Sequence, residues 1–411
     1  MKHKVFPLDF ISPPLDPSLS EIIQNVLDGK EISSQEAVSF YEIPLKYFPI
    51  IFSLANYLRD KQHDSIISYS KNIFIDLTHL CRNACAYCGF RQEPHESETL
   101  LLKPEIIMET VRNGEKFGCK EVLLTMGERP ELKYDVYKQE LHSIGNYSTT
   151  IEYLIDICET ICKNSRLFPH SNPGIVTKDE LNELRKVNAS LGLMLESTSF
   201  QLLEKGGAHE FSPGKDPKLR LDMIKFAGEL HIPFTTGILI GIGDNYLSQI
   251  DALFKIKELH TKYKHIQEII IQNFLPKPHT PMQQISPPSS IDMLKIIAIA
   301  RIIFKGQMNI QIPPNLNATD LSLFLMSGIN DWGGVSPLTI DYINPEKQWP
   351  SIEKLARLTH EAGFILKERL PIYPEFIKND KFIPLLLKKQ IYSITDETGF
   401  VRKSDSHEYL R

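Results

Sequence analysis

Eight short apolar runs alternate with longer amphipathic stretches, and this alternation limits the possible folds more than any other feature of the chain. The runs lie at residues 73–78, 121–125, 166–170, 191–196, 234–240, 266–272, 308–312 and 335–339. Such alternation is typical of parallel strands joined by helical crossovers. The sequence therefore predicts an α/β fold, and eight strands favour a closed (β/α)8 barrel.

Local start signals mark two of the predicted helices. Thr177 followed by Glu180 forms a capping box, in which each side chain satisfies a free backbone N–H of the other residue. Asp216 followed by Pro217 provides an N-cap and a proline at the first helical position. Apolar residues recur at helical spacing behind both signals, so we expect these stripes to form core.

The two ends of the chain depart from this pattern and divide it into three predicted segments. Residues 1–70 start with the proline-bearing stretch SPPLDPS and form a helical N-terminal extension. Helical patterns in this extension lie at 19–28, 34–41 and 44–60. Residues 71–340 form the barrel. Residues 341–411 form a proline-punctuated, partly helical segment, and the last dozen residues are polar enough for a loose tail.

The charge balance argues against a polyanionic partner. The 411 residues include 46 Lys and Arg against 51 Asp and Glu, a net charge of −5. This balance provides no field that attracts nucleic acid or an anionic membrane, so we expect a small-molecule substrate. The start of the chain lacks a secretory signal and no apolar stretch spans a bilayer, so we expect a soluble, cytoplasmic protein.

Three of the six cysteines crowd into the stretch THLCRNACAYCGF, directly after the first predicted strand. Barrel enzymes carry their chemistry at the carboxyl ends of the strands, where this loop falls. Cys81, Cys85 and Cys88 can ligate three irons of a [4Fe-4S] cluster and leave the fourth iron open. A metal site with an open position can bind a substrate.

Two alternatives remain open for this loop. One is a zinc site completed by His79 or His95, and the other is a closed cluster that only transfers electrons. Both need a fourth protein ligand. Cys119, Cys158 and Cys162 stand apart from the motif, and we expect them to be buried as small apolar residues.

The CxxxCxxC spacing closely resembles the motif of the radical S-adenosylmethionine (SAM) superfamily. The resemblance implies a TIM-type radical SAM barrel whose open iron binds the amino and carboxylate groups of SAM. It also implies that Tyr87 occupies the aromatic position that the superfamily places before the last cysteine.

Later strand ends resemble the segments with which this superfamily binds SAM. The resemblance implies SAM-binding roles for Gly127 and Glu128 in TMGERPE, Glu196 after the fourth strand, and Arg220 on the next helix. Glu196 suits ribose hydroxyls or the cationic ligand, and Arg220 corresponds to the arginine that grips the SAM carboxylate. The glycine-rich stretch TTGILIGIGD, with Gly237 and Gly241, resembles the adenine-binding stretch.

Longer phrases narrow the resemblance to one family. LTHLCRNACAYCGF, LLTMGERPE, VNASLGLMLEST, PFTTGILIGIG, HIQEIIIQNF and GINDWGGVSPLT occur in family order over roughly residues 70–375. Together they resemble the radical SAM subunit of the FO synthase family, which closes the deazaflavin ring of coenzyme F420. The resemblance implies a carbon–nitrogen lyase that abstracts hydrogen, cyclises a hydroxybenzyl-dihydrouracil adduct and expels ammonia.

The resemblance also implies partners. The adduct comes from a second radical SAM subunit, and a reductant such as ferredoxin or flavodoxin supplies the electron. This sequence carries one cysteine motif of this kind, so it differs from the fused form that contains both halves.

Amide and carboxylate side chains are candidate substrate ligands, because they match a polyhydroxylated, ureido-bearing molecule. The candidates are Asn330 and Asp331 in the predicted last loop, Gln272 and Asn273 after the sixth strand, and Asn315 after the seventh. For Asp331 the alternative is a structural turn in which it caps a backbone group.

Other assignments compete with this one. Among enzymes, they are the menaquinone-pathway and biotin synthase-like radical SAM proteins, which differ in the GERPE and NDWGG phrases. Outside enzymes, the alternative is a non-catalytic iron–sulfur or zinc protein. Gly89 departs from the polar residue that often follows the last cysteine in the family, which affects the pocket rim and not the cluster ligands.

Overall fold

Eight parallel strands in the described part of the chain close into a barrel, as the alternation predicts. The computed structural model describes residues 16–405. The strands are β1 (Ile66–Asp76), β2 (Glu121–Thr125), β3 (Phe168–Asn172), β4 (Ser190–Gly192), β5 (Phe234–Ile240), β6 (Ile266–Asn273), β7 (Asn309–Gln311) and β8 (Asp331–Val335). Each strand pairs with the next, and β1 pairs with both β2 and β8, which closes the ring.

Helices surround the barrel and cover its outer face. They are α1 (Pro17–Leu27), α2 (Ser34–Glu42), α3 (Phe48–His63), α4 (Pro104–Lys116), α5 (Asp135–Gly145), α6 (Thr150–Asn164), α7 (Lys178–Val187), α8 (Pro217–Glu229), α9 (Tyr246–Tyr263), α10 (Ser290–Ile303), α11 (Leu321–Met326), α12 (Ile352–Glu361), α13 (Pro374–Ile377) and α14 (Leu385–Ile394). The capping box of Thr177 and Glu180 begins α7, and Asp216 caps α8, both as predicted.

The largest differences from the predicted strand boundaries are in β1, β4 and β8. β1 begins at Ile66 instead of residue 73, and β4 ends at Gly192. β8 occupies Asp331–Val335, a stretch whose two glycines disfavour a strand and whose sequence predicts a loop. Pairing with β1 and β7 overrides the low strand propensity of this stretch.

A ninth strand, β9 (Ile365–Arg369), was not predicted, because three of its five residues are charged. It pairs with the first half of β1, whereas the second half of β1 pairs with β2. β9 therefore enters at the amino-terminal end of the barrel. Apolar side chains between residues 370 and 401 pack against Phe168 and Ala189 at the same end. The C-terminal segment thus forms the floor of the barrel.

The N-terminal helices pack on the outside of the barrel, and their apolar side chains belong to the same core. The Tyr41 ring stacks on Tyr246 of α9 with 4.3 Å between the ring centres. Most of SPPLDPS, and the part of the predicted loose tail beyond residue 405, lie outside the described residues. None of the helices in residues 16–405 is long and apolar enough to cross a bilayer.

Candidate active site

A cavity of about 400 Å³ opens at the carboxyl ends of the strands and continues down inside the barrel. All eight barrel strands contribute lining residues. Cys81, Cys85 and Cys88 lie at its upper end, and Arg369 of β9 lies at its floor. The predicted loop therefore sits at the mouth of a space large enough for small molecules.

The cysteine loop is held in place by backbone hydrogen bonds. The Arg82 N–H donates to the carbonyl of Glu128 over 2.9 Å. The Ala84 N–H donates to Phe211 O over 3.0 Å, and the Ala86 N–H donates to Ala208 O over 2.8 Å. Two separate segments of the chain thus fix the loop, one after β2 and one between β4 and α8.

Polar donors point at two of the three sulfur atoms. The Glu128 N–H donates to Cys81 Sγ over 3.1 Å, and the Ser212 hydroxyl donates to Cys85 Sγ over 3.3 Å. Burial raises the pKa of the Cys81 thiol to about 11 and also raises the pKa of Cys85. Buried thiolates need compensating positive charge, which iron provides. The donors and the low polarity together fit a cluster ligated by these cysteines.

The arrangement argues against a zinc site completed by histidine. His79 Nδ1 donates to the Phe90 carbonyl over 2.9 Å, and His79 Nε2 contacts Asp76, so both ring nitrogens are engaged. His95 is exposed. Among residues 16–405, no three His, Cys, Asp or Glu side chains form a group that could hold a single metal ion. A cubane suits more widely spaced thiols, because each cysteine binds a different iron.

Gly127 and Glu128 lie directly under the cysteine loop. A Cβ on Gly127 would lie 1.8 Å from the carbonyl oxygen of Leu80, so only glycine allows this approach. The Glu128 carboxylate accepts from Arg82 over 2.9 Å and from the Ile175 N–H over 3.1 Å. Both residues line the cavity, and their contacts position the loop.

Glu196 forms the centre of a buried polar network beside the loop. Its carboxylate accepts a hydrogen bond from the Tyr87 hydroxyl over 2.7 Å and from Lys215 Nζ. His209 Nε2 lies 3.3 Å from the same carboxylate. Burial opposes ionisation, but Lys215, His209 and Arg220 outweigh it and hold the pKa of Glu196 well below its ordinary value. The network therefore presents a buried carboxylate anion to the cavity.

The backbone at Glu196 is strained, with a φ of 66°. Left-handed backbone is costly for a residue with a side chain and is often found at functional sites. Here the Glu196 N–H donates to Gly237 O over 2.9 Å, and the Leu239 N–H donates to Glu196 O over 3.0 Å. Pairing with β5 maintains the conformation that lets Glu196 line the cavity.

Arg220 lies on α8 and is almost completely buried at the wall of the cavity. Its Nε donates to the Gly214 carbonyl over 2.9 Å, and Nη1 donates to the Met194 carbonyl. Arg220 therefore joins the two ends of the connection between β4 and α8 and adds positive charge near Glu196.

Several residues of this site were not predicted from the sequence: Asn83, His209, Ser212 and Lys215. Apart from Asn83, they lie in the connection 193–216 between β4 and α8, beyond the phrase VNASLGLMLEST, where the sequence carries no motif. The unusual length of this connection is a signal that could have been used, because long loops are often functional.

The structure does not bring two predicted glycines to the cavity lining. A Cβ on Gly237 would lie 2.1 Å from the Ile270 carbonyl oxygen, so this glycine allows β5 and β6 to approach. Gly241 has a φ of 97°, which glycine adopts without strain, and it packs against Pro288.

The candidate substrate residues divide into two groups. Gln272, Asn273 and Asn315 line the cavity. Asn330 and Asp331 do not line it, because the stretch predicted as a loop is strand β8 and these residues lie at its amino-terminal end.

At that end the two side chains have structural partners. Asn330 accepts from Arg301 Nη2 over 2.7 Å. Asp331 pairs with Arg369, whose Nε lies 2.7 Å from the carboxylate.

The remaining cysteines are remote from the loop, as expected. Cys119 and Cys158 are buried, and Cys162 is partly buried against the barrel core. Cys158 Sγ lies 3.6 Å from the Ser171 hydroxyl.

Comparison with known proteins agrees with this geometry. Residues 75–255 match the model of the radical SAM superfamily. Membership of this superfamily implies a [4Fe-4S] cluster and SAM as cofactors, and the three cysteines lie near the start of the matched region.

Solved structures support the fold. The FeFe-hydrogenase maturase HydG from Carboxydothermus hydrogenoformans has a TM-score of 0.70 and 21% identity, covering 91% of this chain and 88% of that one. Methylornithine synthase has a TM-score of 0.66 and 21% identity, covering 84% of this chain and 97% of that one. At this identity the likeness shows the fold alone.

Curated relatives are much more similar in sequence. The 7,8-didemethyl-8-hydroxy-5-deazariboflavin synthase of Methanopyrus kandleri is 49% identical over 82% of this chain and 100% of its own length. The synthase of the same name from Methanocaldococcus jannaschii is 46% identical over 90% of this chain and 100% of its own length. This chain belongs to the 7,8-didemethyl-8-hydroxy-5-deazariboflavin (FO) synthase family of the radical SAM superfamily.

Proposed function

We propose that this protein is the radical SAM lyase that closes the deazaflavin ring of FO. Its substrate is the hydroxybenzyl-dihydrouracil adduct that carries the ribityl chain, and the products are FO and ammonia. One observation carries the proposal: three cysteines lie at the mouth of a deep cavity in a chain similar to FO synthases over their full length. When bound, the reduced cluster and SAM supply hydrogen abstraction, with release of methionine and 5'-deoxyadenosine.

The residues of the loop and its surroundings have distinct roles in this proposal. Cys81, Cys85 and Cys88 hold three irons, while Gly127 and Glu128 fix the loop that carries them. These supporting contacts matter because a small displacement of reacting groups slows a reaction strongly.

The buried network presents charges that suit SAM. Glu196 offers an anion to the sulfonium or the ribose hydroxyls, and Arg220 and Lys215 offer cations to the carboxylate of SAM. Tyr87 orients Glu196 through a 2.7 Å hydrogen bond. Gly237 and Gly241 contribute to this site indirectly. Gly237 allows the close approach of β5 and β6, and Gly241 allows the positive φ just after β5.

The barrel itself protects the reaction. The cavity is enclosed by the strands, by the floor at Arg369 and by the cysteine loop above. Excluding water and competing hydrogen donors is what a reactive radical requires.

A separate partner and a reductant belong to the proposal. The chain carries one CxxxCxxC motif, which supports a second radical SAM subunit as the source of the adduct. A one-electron donor such as ferredoxin or flavodoxin would reduce the cluster. We also place the reaction in the cytoplasm, where reducing conditions keep cluster thiols reduced.

The test is an anaerobic assay of the reconstituted protein with the adduct, SAM and dithionite. We expect FO fluorescence together with 5'-deoxyadenosine and methionine. Cys81→Ala, Cys85→Ala and Cys88→Ala should each lose iron and product, whereas Cys158→Ala, which removes a buried thiol on α6, should retain the cluster. SAM cleavage without FO would reject the ring-closing role, and a full cluster that never cleaves SAM would indicate an electron carrier.

A further inference from the structure

Several amide side chains line the interior of this barrel below the cysteine loop. Barrel interiors are normally filled by layers of branched apolar side chains. Here amide side chains on four strands line the cavity: Asn72, Asn172, Gln272 and Gln311. Amide side chains beside open space suit the binding of a polar ligand better than they suit the packing of a core.

Asn72 of β1 is the residue of the cavity lining that most clearly suits a polar ligand. Its side chain is fully buried, and neither Oδ1 nor Nδ2 has a hydrogen-bond partner among the described residues. Leaving a buried amide unsatisfied costs about 1–3 kcal/mol for each polar group, so such residues are rare without a function. Asn72 is among the residues that line the cavity, so a ligand in the cavity lies next to this amide.

Two further residues show the same feature. Asn315 Oδ1 and Trp349 Nε1 are buried without a partner in the described part of the chain, and both residues line this cavity. Asn315 Nδ2 by contrast donates to Asp341 over 2.8 Å. Unsatisfied donors and acceptors from separate segments therefore converge on one space.

Glycines make room for the amides. A Cβ on Gly334 would lie 2.2 Å from Asn72 Nδ2, and a Cβ on Gly333 would lie 2.0 Å from Gln311 Nε2. Gly192 similarly leaves room for Asn172, with a Cβ at 2.0 Å from its Oδ1. Gly333 and Gly334 of β8 thus make room for residues that line the cavity, although the neighbouring Asn330 and Asp331 do not line it.

The charged floor beneath the amides is already satisfied. Arg369 donates to Asp331 over 2.7 Å and lies 3.4 Å from Glu268. Glu268 also accepts from the Tyr373 hydroxyl over 2.6 Å. The unpaired hydrogen-bonding atoms of the cavity lining described above therefore lie on Asn72, Asn315 and Trp349, and not on Arg369.

We propose that Asn72, together with Gln311, forms the subsite that binds the pyrimidine ring of the substrate. The contacts would be hydrogen bonds to the ureido edge of that ring. A primary amide presents an acceptor and a donor in one plane, which matches adjacent N–H and C=O groups of a cyclic ureide. This inference rests on the proposed function and adds the residues that recognise the ring. Adenine carries a similar donor–acceptor edge, so the test separates the adduct from SAM.

The experiment measures binding without turnover. The cluster-reconstituted protein is titrated anaerobically with the adduct, and separately with SAM, by calorimetry and without reductant. Asn72→Leu, which keeps the size and removes both polar atoms, should weaken adduct binding about tenfold to a hundredfold. The affinity for SAM should change little. Gln311→Met is the second variant, with a smaller expected loss for the adduct.

The thermal stability of the variants separates a ligand-binding role of Asn72 from a structural one. Asn72→Leu should unfold at the same temperature as the wild type or higher without ligand, because it removes an unsatisfied amide. Asn188→Leu is the matched control, since Asn188 is a buried amide with partners: it accepts from Ser171 over 2.7 Å and donates to Leu184 O over 3.0 Å. It should lower the unfolding temperature and leave adduct affinity unchanged.

Each outcome decides the inference. If Asn72→Leu binds the adduct as tightly as the wild type, or loses affinity only for SAM, the inference is overturned while the ring-closing function stands. If Asn72→Leu is less stable than the wild type and Gln311→Met still binds the adduct normally, Asn72 has a structural role and the inference is wrong. A wild-type protein that neither binds nor converts the adduct would reject the function itself, and the subsite with it.

Discussion

Lys215 donates a hydrogen bond to Glu196 inside the protein, and both side chains are largely buried beside the cysteine loop. Lys215 comes from the irregular segment before α8, whereas Glu196 follows β4. The pair therefore joins the wall of the proposed SAM site to the segment that holds the loop.

Removal of Lys215 should damage both stability and SAM binding. In Lys215→Met the carboxylate of Glu196 loses its main opposing charge, and breaking a buried pair typically costs about 3–5 kcal/mol. We expect a lower denaturation midpoint and weaker SAM binding by calorimetry. Lys186→Met, which breaks the exposed pair with Glu183, should cost about 0.5 kcal/mol or less. Equal effects of the two variants would contradict the importance of the buried pair.

The Lys215–Glu196 pair should also make the stability of the protein depend on pH. The pKa of Glu196 in the folded state is well below its ordinary value, because Lys215 and its neighbours outweigh burial. Its contribution to stability is therefore present above its unfolded pKa and is lost as the pH falls through the folded pKa. The stability difference between wild type and Lys215→Met should shrink on acidification, as followed by denaturant unfolding from neutral to acidic pH. A difference that grew on acidification would reject this sign.

Substitution of Gly127 should displace the cysteine loop. Gly127→Ala places a Cβ at 1.8 Å from Leu80 O and 2.9 Å from Cys81 Cβ, so the backbone of the loop must move. We expect a folded protein with reduced iron content per chain after reconstitution. Gly29→Ala is the control, since it has open space around the new methyl group and suffers only the strain of its φ of 81°. Full iron loading of Gly127→Ala would show that the close approach is not required.

Glu121 should make stability fall as the pH rises. Burial raises the pKa of its carboxyl to about 7, so the folded state holds a proton that the unfolded state releases near pH 4.5. Stability should therefore decrease between about pH 4.5 and 7, by up to roughly 3 kcal/mol. Glu121→Gln should make this slope shallower, as measured by denaturant midpoints across that range, while the raised pKa values of Glu368 and Asp244 maintain the remainder. The exposed Glu397→Gln serves as the control, and a slope in Glu121→Gln as steep as that of the wild type would exclude this carboxyl as a contributor.

Arg369 should be essential for the floor of the barrel. It lies on β9 and pairs with Asp331 of β8, and both are almost completely buried. Arg369→Met would leave buried carboxylates without their cation, at a cost of about 3–5 kcal/mol. Denaturant unfolding measures this loss, and the exposed Arg357→Met, which breaks a pair with Glu361, should be nearly neutral. A small effect at Arg369 would indicate that the carboxyls are protonated.

The sequence alone determined the features that depend on neighbouring residues. The apolar runs predicted the barrel strands other than β8, and the Thr177 and Asp216 caps marked two helix starts, because both signals depend on residues only a few positions apart. The spacing of Cys81, Cys85 and Cys88 pointed to the cluster for the same reason.

Only the tertiary structure decided which polar residues face the cavity. Lys215 reaches Glu196 from a segment without a motif, and Asn72 is left unsatisfied because Gly334 of a distant strand makes room for it. Asn330 and Asp331 instead lie at the closed end of the barrel, because pairing with β1 turns their stretch into a strand. Strand register and the packing of remote segments set these contacts, and neither can be read from local sequence.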